Sequence, residues 1–430
     1  MLIAALLLAC QPGTASLGKV GAGHGTPAPH DTPTLPQLTA TSSDSPETGT
    51  WLFQEQAARR VFLDLSDDAR QRLRDEPREW VPAAFTVGDV HFDLVGVRLK
   101  GNGSFQPLDD KPSWKIDLDH YVPGQEVDGI DDLVLDNMSL DPTWLRARIA
   151  YQFYETMGLP APRTTWVTLD EEGRVMRMLL SEDKDKRFLS RFYDDPDGSL
   201  YELFDADLTP ELVPYLDHDG GPDDLRPFLE LAEILDDPTS RLSHDAGHLL
   251  DVEQFARYFA VSGVIGQFDA YPYSIPGDDI YWYVDPADGR IDTLPHGVDE
   301  TMEDPLRPVD YTVGVLGEAC LHDPVCEQWW ADATWEALDE LEGGRWLQKV
   351  RDEHAYLVDQ YDVVACDQAL RADPLFEYTG YYDYLIDYYL ELYGQTFSEV
   401  IWGDCASHYD MAWFLDSRRE ALESMPGLPR

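Results

Sequence analysis

Apolar and polar residues alternate along the first folded stretch of the chain. Val61-Phe62-Leu63-Asp64-Leu65 and His91-Phe92-Asp93-Leu94-Val95-Gly96-Val97-Arg98-Leu99-Lys100 read as strands with a short helix between them. Trp114-Lys115-Ile116-Asp117-Leu118 alternates again. Spacing by four then takes over at Leu145, Ile149, Phe153 and Met157. Asp141 as N-cap, Pro142 at the first helical position and Gly158 as the stop predict one helix there. Thr164–Leu169 and Val175–Leu180 flank Glu171-Glu172-Gly173 as a hairpin. A second hairpin joins Ile280–Tyr283 to Ile291–Leu294 through Asp285–Gly289. Ahead of it the pattern predicts a helix over Val252–Phe268, opened by Asp251 with Gln254 completing a capping box. Beyond Tyr311 the chain reads as helical and rich in aromatics. The folded part is therefore α+β, starting near Trp51, with no internal repeat.

The N-terminus carries a different pattern. Leu2–Ala9 is a short apolar run ending at Cys10. It is too short to span a hydrocarbon core, which needs about 20 residues, but it suits the apolar segment of a secretory signal. Leu7-Leu8-Ala9-Cys10 resembles the bacterial lipobox, in which the cysteine is lipidated, although no Lys or Arg follows Met1. In residues 11–50, 28 of the 40 positions are Gly, Ala, Pro, Ser or Thr and none is aromatic, which predicts a flexible tether. The expectation is a bacterial cell-envelope protein, periplasmic or on the outer surface, that meets a membrane only through lipid on Cys10.

Composition narrows the function classes. Of 430 residues, 43% are hydrophobic and 12% aromatic, enough for a large core. Against 32 basic residues stand 82 acidic ones, a net charge of −50, which repels nucleic acid and anionic lipid. Solubility, adaptation to salt and carboxylate-held cations all account for such a surface. Setting Cys10 aside leaves Cys320, Cys326, Cys366 and Cys405, an even number suited to an oxidising compartment. Pairing Cys320 with Cys326 and Cys366 with Cys405 closes the most local loops. A four-cysteine zinc site is the alternative, disfavoured by the lack of a C-x-x-C pair.

The motif search excludes more than it finds. The chain has no phosphate-binding G-x-x-x-x-G-K-[ST], no G-x-G-x-x-G and no H-E-x-x-H. Gly101-Asn102-Gly103-Ser104-Phe105 is not a nucleophile elbow, because the serine is not centred. Asp194–Gly198 and Asp217–Gly220 look calcium-like but lack the bidentate Glu, so they read as solvated turns. Two constellations remain. Arg98, Lys100, Lys111 and Lys115 form a basic island beside the Gly-Asn-Gly-Ser turn, a pattern that suits an anionic phosphate and equally an exposed strand. Asp269, read at the C-terminus of a helix where the macrodipole disfavours it, and Asp299, after the second hairpin, suit phosphoryl transfer: one orients an acceptor hydroxyl, the other holds Mg²⁺.

The pieces recur in a recognisable order. They are Val97–Gly101 with Ser104, Lys111-Pro112-Ser113-Trp114-Lys115-Ile116, Leu135-Asp136-Asn137 with Asp141–Arg146, and Leu180–Lys184. Phe268-Asp269-Ala270-Tyr271, Tyr281-Trp282-Tyr283 and Pro295-His296-Gly297-Val298-Asp299 follow. This series, from about Val61 to Cys326, resembles the CotH-like spore-coat kinase family, atypical kinases without the usual kinase signatures. The resemblance implies an atypical protein-kinase-like fold over 51–315, followed by a helical, disulfide-bearing segment over 316–430. It implies Asp269 as the catalytic aspartate, and Asp299 with Asp279 as metal ligands. Lys100, Lys111 or Lys115 would contact nucleotide phosphates, with Glu182 as the ion-pair partner of Lys111 or Lys115, and ATP with Mg²⁺ as cofactors. Two departures stand out: Asp278-Asp279 replaces the asparagines frequent before the hairpin, and Pro295-His296-Gly297 replaces Pro-Trp-Asp. Because ATP is scarce outside the cytoplasm, two functions follow. One is an exported kinase-like enzyme phosphorylating protein Ser/Thr. The other is a surface-anchored binding or adhesion module on a degenerate kinase fold, engaging a cell-surface ligand. A calcium-stabilised structural lipoprotein is a third.

Overall fold

Seven strands wrap into a closed barrel in the computed structural model, which describes residues 49–54, 59–141, 143–274, 277–360, 364–365, 405–406 and 409–424. They are β1 (Arg59–Leu65), β2 (Val81–Val87), β3 (Val90–Lys100), β4 (Ser113–Asp117), β5 (Asp132–Asp136), β6 (Thr164–Glu171) and β7 (Arg174–Glu182). Their order is β1-β2-β3-β4-β5-β7-β6, and the parallel pairing of β1 with β6 closes the ring. Alternation explains the inside: Val61, Leu63 and Leu65 of β1 are buried while Arg60, Phe62 and Asp64 are exposed. The predicted short helix is α1 (Asp67–Asp75), capped by the Ser66 hydroxyl, which accepts from Ala69 N–H at 3.1 Å. β2 had no clear sequence signal, because Pro82 interrupts it. The β6–β7 hairpin forms as expected, with Glu172 and Gly173 both at positive φ, the requirement of its tight turn.

The helix expected from Asp141 starts later. Asp141 caps a turn instead, its carboxylate accepting from Thr143, Trp144 and Arg146 backbone N–H groups at 2.8–3.0 Å. Helix α2 then runs Arg146–Thr156. Ile149, Phe153 and Met157 are buried as the spacing requires, and Gly158 at φ +77° ends the turn.

Beyond a short helix α3 (Lys186–Leu189), a second sheet forms from β8 (Ser199–Leu203), β9 (Asp217–Gly220), β10 (Ile280–Val284) and β11 (Ile291–Pro295). Its order is β11-β10-β8-β9, so Asp217–Gly220 is an edge strand and not the solvated turn the sequence suggested. Helix α4 (Arg226–Asp236) lies between the two halves of this sheet in sequence. Helix α5 (Val252–Ile265) is buried on every side from Tyr258 to Ile265, which makes it the centre of the second core. Asp251 caps it through Gln254 N–H at 3.0 Å. The reciprocal half of the capping box is replaced: the Gln254 side chain pairs with the Thr293 backbone, tying α5 to β11. The helix stops at Gly266, in the left-handed region, before the predicted end at Phe268. Asp269 therefore sits in a loop beyond the helix, and the macrodipole argument does not reach it.

Helices α6 (Val315–His322), α7 (Pro324–Leu341), α8 (Arg345–Gln360) and α9 (Tyr409–Glu423) complete the C-terminal part. A disulfide joins Cys320 to Cys326 across the α6–α7 junction, as expected, and so removes two thiols from any four-cysteine zinc site. Cys366 lies outside the described residues, as does its expected link to Cys405. A two-residue parallel pairing connects β12 (Val364–Ala365) to β13 (Cys405–Ala406). From α9 the fully buried Arg418 donates to four carbonyls: Gly263 and Val264 at the end of α5, and Pro305 and Arg307 on the segment after Asp299. No helix among the described residues is long and apolar enough to cross a membrane. Cys10 and most of the 11–50 tether lie outside the described residues.

Candidate functional site

Two acid-bearing loops are stitched together at the end of α5. Gln267, buried, donates to the Gly297 carbonyl at 2.7 Å, and Met302 N–H donates to the Ile265 carbonyl at 2.8 Å. The first loop carries Asp269. Its course is fixed by Ser274 Oγ on the Asp269 carbonyl (2.6 Å), Tyr271 N–H on the Asp278 carbonyl (2.8 Å), and Tyr271 Oη on Asp207 (2.9 Å). The second loop carries Asp299 in a short 3-10 turn, Val298–Glu300, packed against α2.

The carboxylates crowd one another. Asp279 is pushed well above the ordinary carboxylate range by burial and then by Asp299, Asp278 and Asp269. Asp299 is pushed up to about 7 by burial, with Asp136 at the end of β5 and Glu300 adding to the shift. Asp278 rises to about 6, again by burial first. Groups in this arrangement keep a proton or hold a cation, since like charges at close quarters cannot all ionise. Their donors are all oxygens, which suits Mg²⁺ or Ca²⁺ and not a soft metal. Oxygen donors are the chemistry of the Mg²⁺ the sequence led us to expect, which Asp279 and Asp299 would hold; among the described residues, the three acids whose oxygens lie within 4.8 Å of one another are Asp131, Asp132 and Asp185.

Gly297 makes room for this cluster. A Cβ there would stand 1.7 Å from Asp279 Oδ1, and its φ of +50° is left-handed. The carboxylate missing at position 297 and the one gained at 279 thus meet in one place. Gly297→Ala is expected to expel the Asp279 side chain and weaken Mg²⁺ binding at least tenfold in calorimetry, with the protein still folded.

A second group of side chains, cationic, lies at the barrel. Lys100 ends β3 and Lys115 lies on β4, with Arg98 paired opposite it in the register. Lys115 makes an ion pair with Asp183 at 2.8 Å; against burial, which lowers it most, Asp183, Asp219 and Asp132 together hold the ammonium above its ordinary range. Glu182, expected beside Lys111 or Lys115, is instead gripped by Arg163 (2.7 Å) and Arg191 (2.5 Å). Strand alternation is the reason: Glu182 and Asp183 face opposite ways, and the cleft receives Asp183. Lys111 lies over the buried Trp144 ring, 4.4 Å from its centroid.

The sequence missed the residue at the centre. Lys184, 7% exposed, points its nitrogen at His296 Nδ1, 2.8 Å away, and lies 4.7 Å from the Tyr281 ring centroid. His296 Nε2 is 3.4 Å from Glu202, which also accepts from Tyr281 Oη at 2.8 Å. Burial, then Lys100, lowers Lys184 to about 8. Burial, then Lys184, lowers His296 to about 4, so the imidazole is neutral and accepts at Nδ1. Tyr151 of α2 bridges the halves: its ring centroid lies 6.0 Å from Lys184 Nζ, and after burial Asp299 and Asp279 do most to raise its hydroxyl. In sequence Lys184 sits in a charged run, Glu182–Arg187, that reads as solvated surface. Only the packing of α2, β10 and the end of β11 shows it is not.

Tyr151, and His296 next to Gly297, therefore connect a buried ammonium to the carboxylate cluster. No curated protein matches the chain. The model of the CotH kinase protein family matches residues 97–350, more than half of the chain and every residue of both halves of this site. The chain belongs to the CotH kinase protein family.

Proposed function

We propose that this protein is an exported kinase-like phosphotransferase that moves the terminal phosphoryl group of ATP to a protein Ser or Thr. The observation that carries the reading is the crowding of Asp269, Asp278, Asp279 and Asp299 beside Tyr151, whose ring centroid also lies 6.0 Å from Lys184 Nζ. The chain order supports it: a buried helix, a loop with Asp269, the β10–β11 hairpin and then Asp299 follow the order in which protein kinases present catalytic and metal-binding acids.

Each residue then has a physical task. Asp269, on a loop fixed by Ser274 and Tyr271, accepts the proton of the acceptor hydroxyl as its oxygen bonds to phosphorus and the bond to ADP breaks. Asp279 and Asp299 hold Mg²⁺, which when bound neutralises charge on the phosphate oxygens. Lysines of the barrel face supply donors to those oxygens. Export, anchored by lipid on Cys10, belongs to the same proposal.

Calorimetry on the full chain tests it. ATP is expected to bind saturably only with Mg²⁺, with binding lost in Asp299→Ala. Asp269→Asn is expected to bind ATP normally while losing at least 99% of phosphate transfer. Absence of binding up to millimolar ATP overturns the proposal and favours a surface module that engages a protein partner.

A further inference from the structure

Lys184 is buried in a way that calls for an anion. Its only hydrogen-bond partner among the described residues is a neutral imidazole; Glu202, Asp183 and Asp219 act on it from further off, and none forms an ion pair with it there. Lys100, whose charge reaches Lys184, Asp183 and His296, likewise makes no hydrogen bond or ion pair among the described residues. Burying an ammonium is costly unless it is paired, and two lysines brought together raise that cost further. Of the three N–H donors on Lys184, one is spent on His296. The other two have no acceptor among the described residues, in a chain with 82 acidic residues. Lys115 differs, because Asp183 already satisfies it.

We propose that Lys184 and Lys100 form the subsite for the terminal phosphates of a polyphosphate ligand, with His296 as the positioning residue that aims Lys184. This rests on the phosphotransferase reading; it keeps Lys100 from the expected phosphate contacts and puts Lys184 in the place of Lys111 and Lys115. His296 is suited to the task. Nδ1 accepts from Lys184, Nε2 faces Glu202, and Tyr281 both fixes Glu202 and lies beneath the ammonium. Its ring stands edge-on to Tyr281, with centroids 4.9 Å apart, so it is packed as well as bonded. The chain Glu202–His296–Lys184 thus sets the direction of the nitrogen from the second sheet, while Lys100 approaches from the end of β3. A phosphate between them replaces lysine–lysine repulsion by two charge-assisted hydrogen bonds.

Inorganic tripolyphosphate, titrated into the full chain without divalent cation, tests the cationic half alone. Wild type is expected to bind it. Lys184→Met is expected to weaken binding at least tenfold and Lys184→Arg less than threefold, with thermal midpoints close to wild type. His296→Phe is expected to weaken it at least fivefold, whereas His296→Gln, which can accept from Lys184 and donate to Glu202, retains it. Lys186→Met, an exposed lysine paired with Asp197, is expected to change nothing. Unchanged affinity in Lys184→Met, or no tripolyphosphate binding by wild type, overturns the inference. If Mg²⁺-dependent ATP binding still requires Asp299 in that event, the phosphotransferase reading stands while the subsite falls.

Discussion

Glu303→Ala is expected to cost about 3–5 kcal/mol of stability, the range for removing one partner from a buried ion pair. Glu303 Oε1 accepts from Arg146 at 2.5 Å, with the arginine side chain fully buried and the glutamate 5% exposed. Taking the carboxylate away removes the nearer of two buried acids that face this guanidinium, Asp141 Oδ1 standing 3.9 Å off. Because a kcal/mol moves the midpoint by about 2–4 °C in a domain of 150–250 residues, thermal unfolding should fall by on the order of 10 °C. Glu303→Gln, which still accepts a hydrogen bond, should lose less. Glu79→Ala, in the exposed pair with Arg72, should leave the midpoint nearly unchanged. The site should suffer with the fold, since Arg146 opens α2 and Glu303 lies just past Asp299. A midpoint within 2 °C of wild type in Glu303→Ala would remove this pair from the account of how the acidic loop is held.

The second large effect is on pH. Asp132 is raised to about 8, and Asp185 and Asp292 to about 7, each by burial first. Unfolded, all three return to about 3.9. Between pH 4 and 8 the folded chain therefore binds more protons than the unfolded one, so stability falls as pH rises through that window. Without divalent cation, the midpoint should drop by more than about 5 °C from pH 5 to pH 8. On the proposed reading, in which Asp279 and Asp299 hold Mg²⁺, a cation dependence of the opposite sense is expected. Mg²⁺ takes the ionised forms, so millimolar Mg²⁺ should raise the midpoint at pH 8 and do little at pH 5. Asp299→Asn should lose that rise. A midpoint that climbs steadily from pH 5 to 8 without cation would contradict the buried, protonated carboxylates.

Much of this was legible in the chain because it is local. Strand alternation in β1, β3 and β4 and the turns at Gly173 and Gly289 were set by neighbours in sequence. The Cys320–Cys326 link spans six residues and was legible in the same way. What escaped depends on distant partners. Asp141 signals an N-cap, and it does cap, but the chain uses it for the turn that buries Trp144 before α2 begins. The α5 pattern ran on to Phe268 in sequence because apolar residues continue past Gly266, where the left-handed backbone stops the helix. Barrel closure rests on β1 meeting β6 in parallel across some hundred residues, which no local pattern announces. Glu182 and Lys184 exchanged importance for the same reason. Arg163 and Arg191 claim the glutamate, and aromatic rings from α2 and β10 enclose the lysine.

The family match ends at residue 350, yet Arg418 reaches back from α9 to both acid-bearing segments. Its guanidinium joins the last turn of α5, which leads to Asp269, to residues 305 and 307, which follow Asp299. The matched residues and the hydrogen bonds that brace the two loops therefore do not end at the same place in this chain. A fragment trimmed to the matched residues would bare four carbonyls that now share one cation. It would also release the brace between the two loops. The carbonyls that flank the two acid-bearing loops are thus held in common by one guanidinium from beyond the matched residues.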